Sequence, residues 1–243
     1  MGDDGELVRV IPGEGWTEIV LNRPERRNSI TAPLSDAVRE ALAAAADDES
    51  TASVILRGEG GFFCSGIDLK ALQADPPPPW RERQFEAWRA LHIALFRFEK
   101  PVIGAFEKYG INAGAALALA CDYLVAGESA FLQVGEIQQG ARIPMNAAWL
   151  RLKVPEQVAA RLAFMGDRVT GPELYRLGLA ADCVADDVVV ARCREVAERI
   201  AGFPPGASGE IKRDLIAQRG IDDPEDYFMN QSSPALLTAD RVQ

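Results

Sequence analysis

The chain has 243 residues, 48% of them hydrophobic, with 26 Lys+Arg against 36 Asp+Glu for a formal net charge of −10. That length and apolar fraction exclude bulk disorder and allow one large domain, or one domain with a small appendage. The acidic balance argues against nucleic-acid binding, which needs a basic stripe, but leaves room for a small anionic ligand on a local basic cluster.

Taken in chain order, residues 8–11 and 17–21 read as two short strands joined by a Gly-bearing turn, a hairpin. A helix is expected over 32–46, with Thr31 as its N-cap, Pro33 in its first turn, and Leu34, Val38 and Leu42 as its apolar stripe. Residues 53–57 read as a buried strand, ended by Gly58-Glu59-Gly60-Gly61. Four prolines, 76–79, forbid a helix and make a stiff loop. A long helix follows over 80–98, then a strand at 102–106, a small-residue helix at 114–120, and short strands at 123–126 and 130–133. This order suggests βαβ units. The second half is mostly helical: 155–165, then a helix opened by Thr170-Gly171-Pro172-Glu173 with the threonine cap and later acid of a capping box, and closed by Gly178. A short extended piece at Cys183-Val184, a helix at about 186–200 and another near 209–218 complete the chain. The region 1–185 is expected to form the core and 186–243 a helical appendage.

Several chemistries are excluded by count or spacing. One histidine, His92, rules out a multi-histidine zinc site, and its apolar helical setting makes it a packing residue. The four cysteines form no CxxC pair, so neither a zinc knuckle nor a thioredoxin-type motif is present, and the low count fits a reducing compartment. Gly58-Glu59-Gly60-Gly61-Phe62-Phe63 fails the GxGxxG dinucleotide pattern, and Phe63 stands where a GxSxG elbow around Ser65 needs glycine. The acidic N-terminus has no apolar run of a secretory signal, and the longest apolar run is too short to span a bilayer. A cytoplasmic protein without membrane or nucleic-acid partners is expected.

Two loops remain. Gly60–Lys70 follows a buried strand, and Gly66 permits a sharp turn that can aim the Ile67 amide into a pocket. Tyr109-Gly110-Ile111-Asn112-Ala113-Gly114 leads into a small-residue helix, whose first amides point at anionic groups. Two such amides on one carbonyl oxygen would make an oxyanion hole; two ordinary strand-to-helix turns are the other reading.

An ordered set of segments then resembles the crotonase superfamily, the enoyl-CoA hydratase/isomerase family. The set comprises Leu21-Asn22-Arg23-Pro24-Glu25-Arg26-Arg27-Asn28, Gly60–Lys70, Lys100-Pro101-Val102-Ile103-Gly104-Ala105, Ala118-Leu119-Ala120-Cys121-Asp122, Gly135-Glu136 and Thr170–Leu179. The resemblance runs from about residue 8 to 220. It implies an α/β fold, a crotonase-like (ClpP/crotonase) spiral of ββα units over 1–185, with 186–243 as the helical trimerisation region of a homotrimer or dimer of trimers. It implies an acyl-CoA thioester substrate and an enolate-like intermediate held by the backbone amides of Ile67 and Ala113. Metal and resident cofactor are not implied; coenzyme A comes with the substrate. One acid/base position of the family falls on Glu136, and the other on Ala116, which cannot transfer a proton. The flanking Val134, Gly135 and Ile137 are expected to desolvate Glu136 and raise its pKa. One glutamate suits moving a double bond, or related enolate chemistry, better than syn hydration; enoyl-CoA hydratase proper and a non-catalytic CoA-ester binder are the alternatives. Arg26, Arg27 and Lys70 are candidates for the CoA phosphates, with Ser65, Asp68 and Leu69 along the adenine; Ala116 and Asn146 are candidates for the acyl pocket, with Arg142 a further possibility. Phe85 and Trp88 read as an acyl-pocket wall or as core and interface residues; Asp68 reads as a cap rather than a base.

Overall fold

The computed structural model of the protein describes residues 6–231. Its elements are β1 (Val8–Pro12), β2 (Trp16–Leu21), α1 (Ala32–Asp47), β3 (Ser53–Gly58), α2 (Leu69–Leu72), α3 (Gln84–Arg97), β4 (Val102–Phe106), β5 (Tyr109–Ile111) and α4 (Ala113–Ala120). Then come β6 (Tyr123–Gly127), β7 (Phe131–Gln133), α5 (Pro144–Lys153), α6 (Glu156–Met165), β8 (Arg168–Thr170), α7 (Gly171–Arg176), β9 (Asp182–Val184), α8 (Val189–Ala201), α9 (Ala207–Ala217) and α10 (Pro224–Gln231).

The strands form two sheets. The larger has the order β1-β2-β3-β4-β6-β9, antiparallel only at β1/β2; the smaller has β5-β7-β8. Successive chain turns place one strand in each: β4 then β5, and β6 then β7, with β5 and β7 parallel. The turn before them contributes β3 to the large sheet and, through Cys64, a single bridge to Gly110 in β5. This is a spiral, and its stacked turns bring the loop after β3 against the loop after β5.

Strand residues alternate between two packed faces. Val54, Leu56, Val102 and Phe106 join the main core with α1, α3, α4 and α5, while Ile55, Ile103, Ala105 and Val125 meet Val189, Cys193, Val196 and Ala197 of α8. Burial on both faces explains why β3 and β4 read as continuous apolar runs. Helix α8, which starts just past residue 185, covers the second face of the large sheet.

The hairpin and the 32–46 helix stand as the sequence suggests, and Thr31 Oγ1 accepts the Leu34 N–H at 3.3 Å. The helix expected from residue 80 instead begins as a 3-10 turn at Arg81–Arg83, and α3 starts at Gln84. The capping box at Thr170 does not form. Thr170 makes no side-chain cap bond, and Glu173 turns to Arg161 and Arg176 at 2.8 and 2.6 Å, because two guanidinium partners outcompete one amide. Partly buried cations sit where helices end. Lys153 donates to Cys121 O at the end of α4, and Arg219 to Phe96 O near the end of α3, each meeting a negative helix terminus. Asp122, at the start of β6, accepts from Val102 N–H at 2.8 Å and pairs with Lys212 of α9. Among the described residues no helix is long and apolar enough to cross a membrane.

Candidate functional site

The site is built where the two loops meet. Cys64 N–H bonds Tyr109 O, and Ile111 N–H bonds Cys64 O, so the first loop is stitched to β5. Ile30 N–H bonds Gly66 O, and Asp68 N–H bonds Ile30 O, which leaves the Ile67 amide facing away from Ile30. Gly66 has φ +97°, and a Cβ there would stand 2.8 Å from Ile111 O and 3.7 Å from the Ala113 nitrogen. Only glycine lets the two loops approach this closely. Gly114 is constrained in the same way, since a Cβ would fall 2.2 Å from Cys64 O. Ala113 opens α4, so its amide has no partner within the helix. Neither the Ile67 nor the Ala113 N–H donates to any group among the described residues.

Asn112 precedes Ala113 with φ 54° and ψ −111°, a conformation that side chains adopt rarely and asparagine more readily than most. Its backbone N–H bonds Gln133 O at 2.8 Å, and its Oδ1 accepts from Gly135 N–H at 2.9 Å. The next residue after Gly135 is Glu136, which opens a 3-10 turn. Glu136 Oε1 accepts from Asn146 Nδ2 at 2.9 Å, and the same Nδ2 donates to Asn112 O at 3.0 Å. Glu136 Oε2 and Asn146 Oδ1 are buried and have no hydrogen-bond partner among the described residues. Burial pushes the Glu136 carboxyl up to about 7, against the smaller opposing effects of its own backbone and the Asn146 amide.

The remaining expected residues divide. Ala116 is fully buried in α4, its N–H bonded to Asn112 O, and Asn146 stands beside Glu136. Asp68 caps α2, accepting from Ala71 N–H at 3.0 Å, and takes Arg23 at 3.1 Å, Arg26 at 2.9 Å and Ser29 at 3.2 Å. Burial works to raise its pKa, but the Ala71 amide and the two guanidinium groups win and hold it below the ordinary carboxylate range. Its side chain is 4% exposed, so a ligand meets its backbone only. That buried hub also engages the charge of Arg26. Arg27 and Lys70 remain exposed and make no ion pair among the described residues, while Ser65 Oγ donates to Arg26 O at 3.4 Å and Leu69 is partly exposed. Arg142 is exposed. Of the two aromatic residues considered for the acyl wall, Trp88 is buried edge-on to His92 and Phe85 is exposed. His92 is fully buried and accepts from Trp149 Nε1 at 2.8 Å, and burial drives its pKa down to about 3, so it is a neutral core residue.

Asn112 has no role legible in the sequence alone. Its one available signal was an asparagine at the turn before a small-residue helix.

Known proteins agree with this architecture. The enoyl-CoA hydratase/isomerase family model matches residues 13–231. A probable enoyl-CoA hydratase EchA12 of Mycobacterium tuberculosis is 33% identical over 208 residues, covering 82% of this chain and 72% of that protein. A 2,3-dehydroadipyl-CoA hydratase of Escherichia coli is 30% identical over 200 residues, covering 81% and 76%. The crystal structure of a monofunctional enoyl CoA isomerase from M. smegmatis superposes with a TM-score of 0.75 at 28% identity, covering 93% of this chain and 99% of that one.

Proposed function

Because the chain belongs to the enoyl-CoA hydratase/isomerase family, we propose that it acts on an acyl-CoA thioester through an enolate, with Glu136 as its one proton-transfer group. The observation that carries this is the meeting of two undonated backbone amides, Ile67 and Ala113, with a single buried carboxyl poised near neutrality. The two amides hold the thioester oxygen as it gains charge, an effect worth about 10²–10³ in rate per donor. Glu136 takes a proton from the carbon next to the thioester and returns it further along the chain, moving a double bond from position 3 to position 2. General-base transfer of this kind contributes about 10²–10⁴. Ala116 offers no second carboxyl to grip a water, which places isomerase-type chemistry above hydration. The same absence favours the rival reading, a CoA-ester binder without turnover.

Arg27 and Lys70 are exposed cations for the CoA phosphates, and the backbone of 65–69 lies along the adenine. The chemistry needs no metal or resident cofactor, since coenzyme A arrives with the substrate. We extend the proposal to a trimer or pair of trimers. Exposed Phe164 and Met165 on α6, beside the Glu136 turn, support it, as do exposed Ile211 and Leu215 on α9 within the 186–243 region. Size-exclusion chromatography with light scattering tests this. The activity is tested by offering 3-enoyl-CoA, 2-enoyl-CoA and malonyl-type CoA esters to the protein and to Glu136→Gln. Faster turnover of 3-enoyl-CoA, lost in the variant, is expected. Faster hydration of 2-enoyl-CoA overturns the ranking, and binding without any turnover favours the rival.

A further inference from the structure

The fold treats the two oxygens of Glu136 differently. Oε1 is held by Asn146 Nδ2 at 2.9 Å, whereas Oε2 is buried and accepts from no group among the described residues. The Asn146 amide cannot be turned over, because its second Nδ2 hydrogen goes to the carbonyl of Asn112, which can only accept. Reversing it would set Oδ1 against a carbonyl oxygen and a carboxylate oxygen with no proton among them. The orientation leaves Asn146 Oδ1 buried with no partner among the described residues. Asn112 is itself fixed at both ends, to Gln133 O and to Gly135 N–H, and it directly precedes the Ala113 amide. Glu136 is therefore tied to the same turn that presents an oxyanion donor.

We infer that Asn146, seated by Asn112, is a positioning residue that commits Oε1 of Glu136 and leaves Oε2 as the oxygen that carries the proton. This rests on the enolate reading proposed above. In the forward step the C–H bond at carbon 2 breaks and Oε2–H forms, while the electron pair moves into an extended enolate with its charge on the thioester oxygen. In the return step the Oε2–H bond breaks and leaves its electron pair on Oε2, the enolate's own pair makes the C–H bond at carbon 4 as the double bond settles between carbons 2 and 3, and Glu136 ends as the carboxylate it began as. Asn146 fills none of the role of a second acid; it takes over the orientation that a lone carboxyl in an apolar niche lacks.

Charged groups around the turn do not compete with this tether. α4 carries none. On α5, Arg151 lies over the Tyr227 ring and Lys153 bonds Cys121 O. On α6, Glu156 is exposed and Arg161 is paired with Glu173. Arg168 of β8 lies over Phe131, and Arg142 is exposed.

The test measures kcat, KM and the pH profile of 3-enoyl-CoA isomerisation for the wild type, Asn146→Ala, Asn146→Asp and Glu136→Gln, with folding checked by circular dichroism. Loss of the amide donor disfavours the Glu136 carboxylate, so in Asn146→Ala the acid limb should rise by about one pH unit. Its kcat at pH 7 should fall about tenfold or more, with KM within about threefold of wild type. Asn146→Asp keeps the shape but faces Glu136 with a like charge, and its limb should rise further; it carries the test if the alanine variant fails to fold. An unmoved limb and unmoved kcat in a folded variant overturn the inference while the enolate reading stands. Wild-type turnover by Glu136→Gln overturns the reading itself.

Discussion

Gly66→Ala perturbs the proposed oxyanion pair at its hinge. At φ +97° an alanine costs roughly 1–3 kcal/mol of backbone strain. Its methyl would also stand 2.8 Å from Ile111 O, a backbone atom that cannot move aside without moving Asn112 and Ala113. The loops must part, and the Ile67 amide then leaves the Ala113 amide. Losing one of two such donors costs about 10²–10³ in kcat. Gly206→Ala is the matched control, with φ +81°, no described residue within 4 Å of the added methyl, and a place at the start of α9. It suffers the strain alone. Urea unfolding should show both variants destabilised, Gly206→Ala by about 1–2 kcal/mol. Kinetics on a CoA thioester should show a collapse of kcat for Gly66→Ala only. Wild-type kcat in a folded Gly66→Ala protein would refute the claim that the closeness of these loops sets the donors.

Other outcomes follow from the buried ionisable groups. His92 titrates at 6.5 when unfolded and near 3 when folded, so its contribution is lost as pH falls below 6.5. Between pH 7 and 5 that amounts to about 2 kcal/mol, and His92→Gln, which keeps an acceptor for Trp149 Nε1, should flatten this part of the stability–pH curve measured by denaturant unfolding. Glu18 is fully buried and accepts from Arg57 at 2.8 Å and Arg194 at 2.6 Å. Removing one partner in Arg57→Met should cost about 2–3 kcal/mol by urea unfolding, since Arg194 still pairs the charge.

The sequence was most legible where its signals are local. The Thr31 cap, the apolar stripe of α1 and the runs of β3 and β4 each act within a few residues. It was least legible where partners are distant. The three-residue strands β5 and β8 carry no periodicity and exist through pairing with β7. Helix α5 follows a Gly-bearing loop and starts at a proline, and no helix is expected there from the sequence. In the proposed site, Glu136 and the two amides are proposed through the family's spacing. The bond from Asn146 to the Asn112 carbonyl spans 34 residues, and that from Asp68 to Arg26 spans 42, so neither the tether on Glu136 nor the loss of Arg26 as a free cation has a local signature.

The central claim is that two backbone amides and one carboxyl act on one thioester, and a crystal structure with an unreactive acyl-CoA analogue tests it most directly. The account predicts the thioester oxygen about 2.7–3.1 Å from the nitrogens of both Ile67 and Ala113, with the carbon next to the thioester facing Glu136 Oε2. A thioester bound away from either amide, or with Glu136 turned from that carbon, would contradict it.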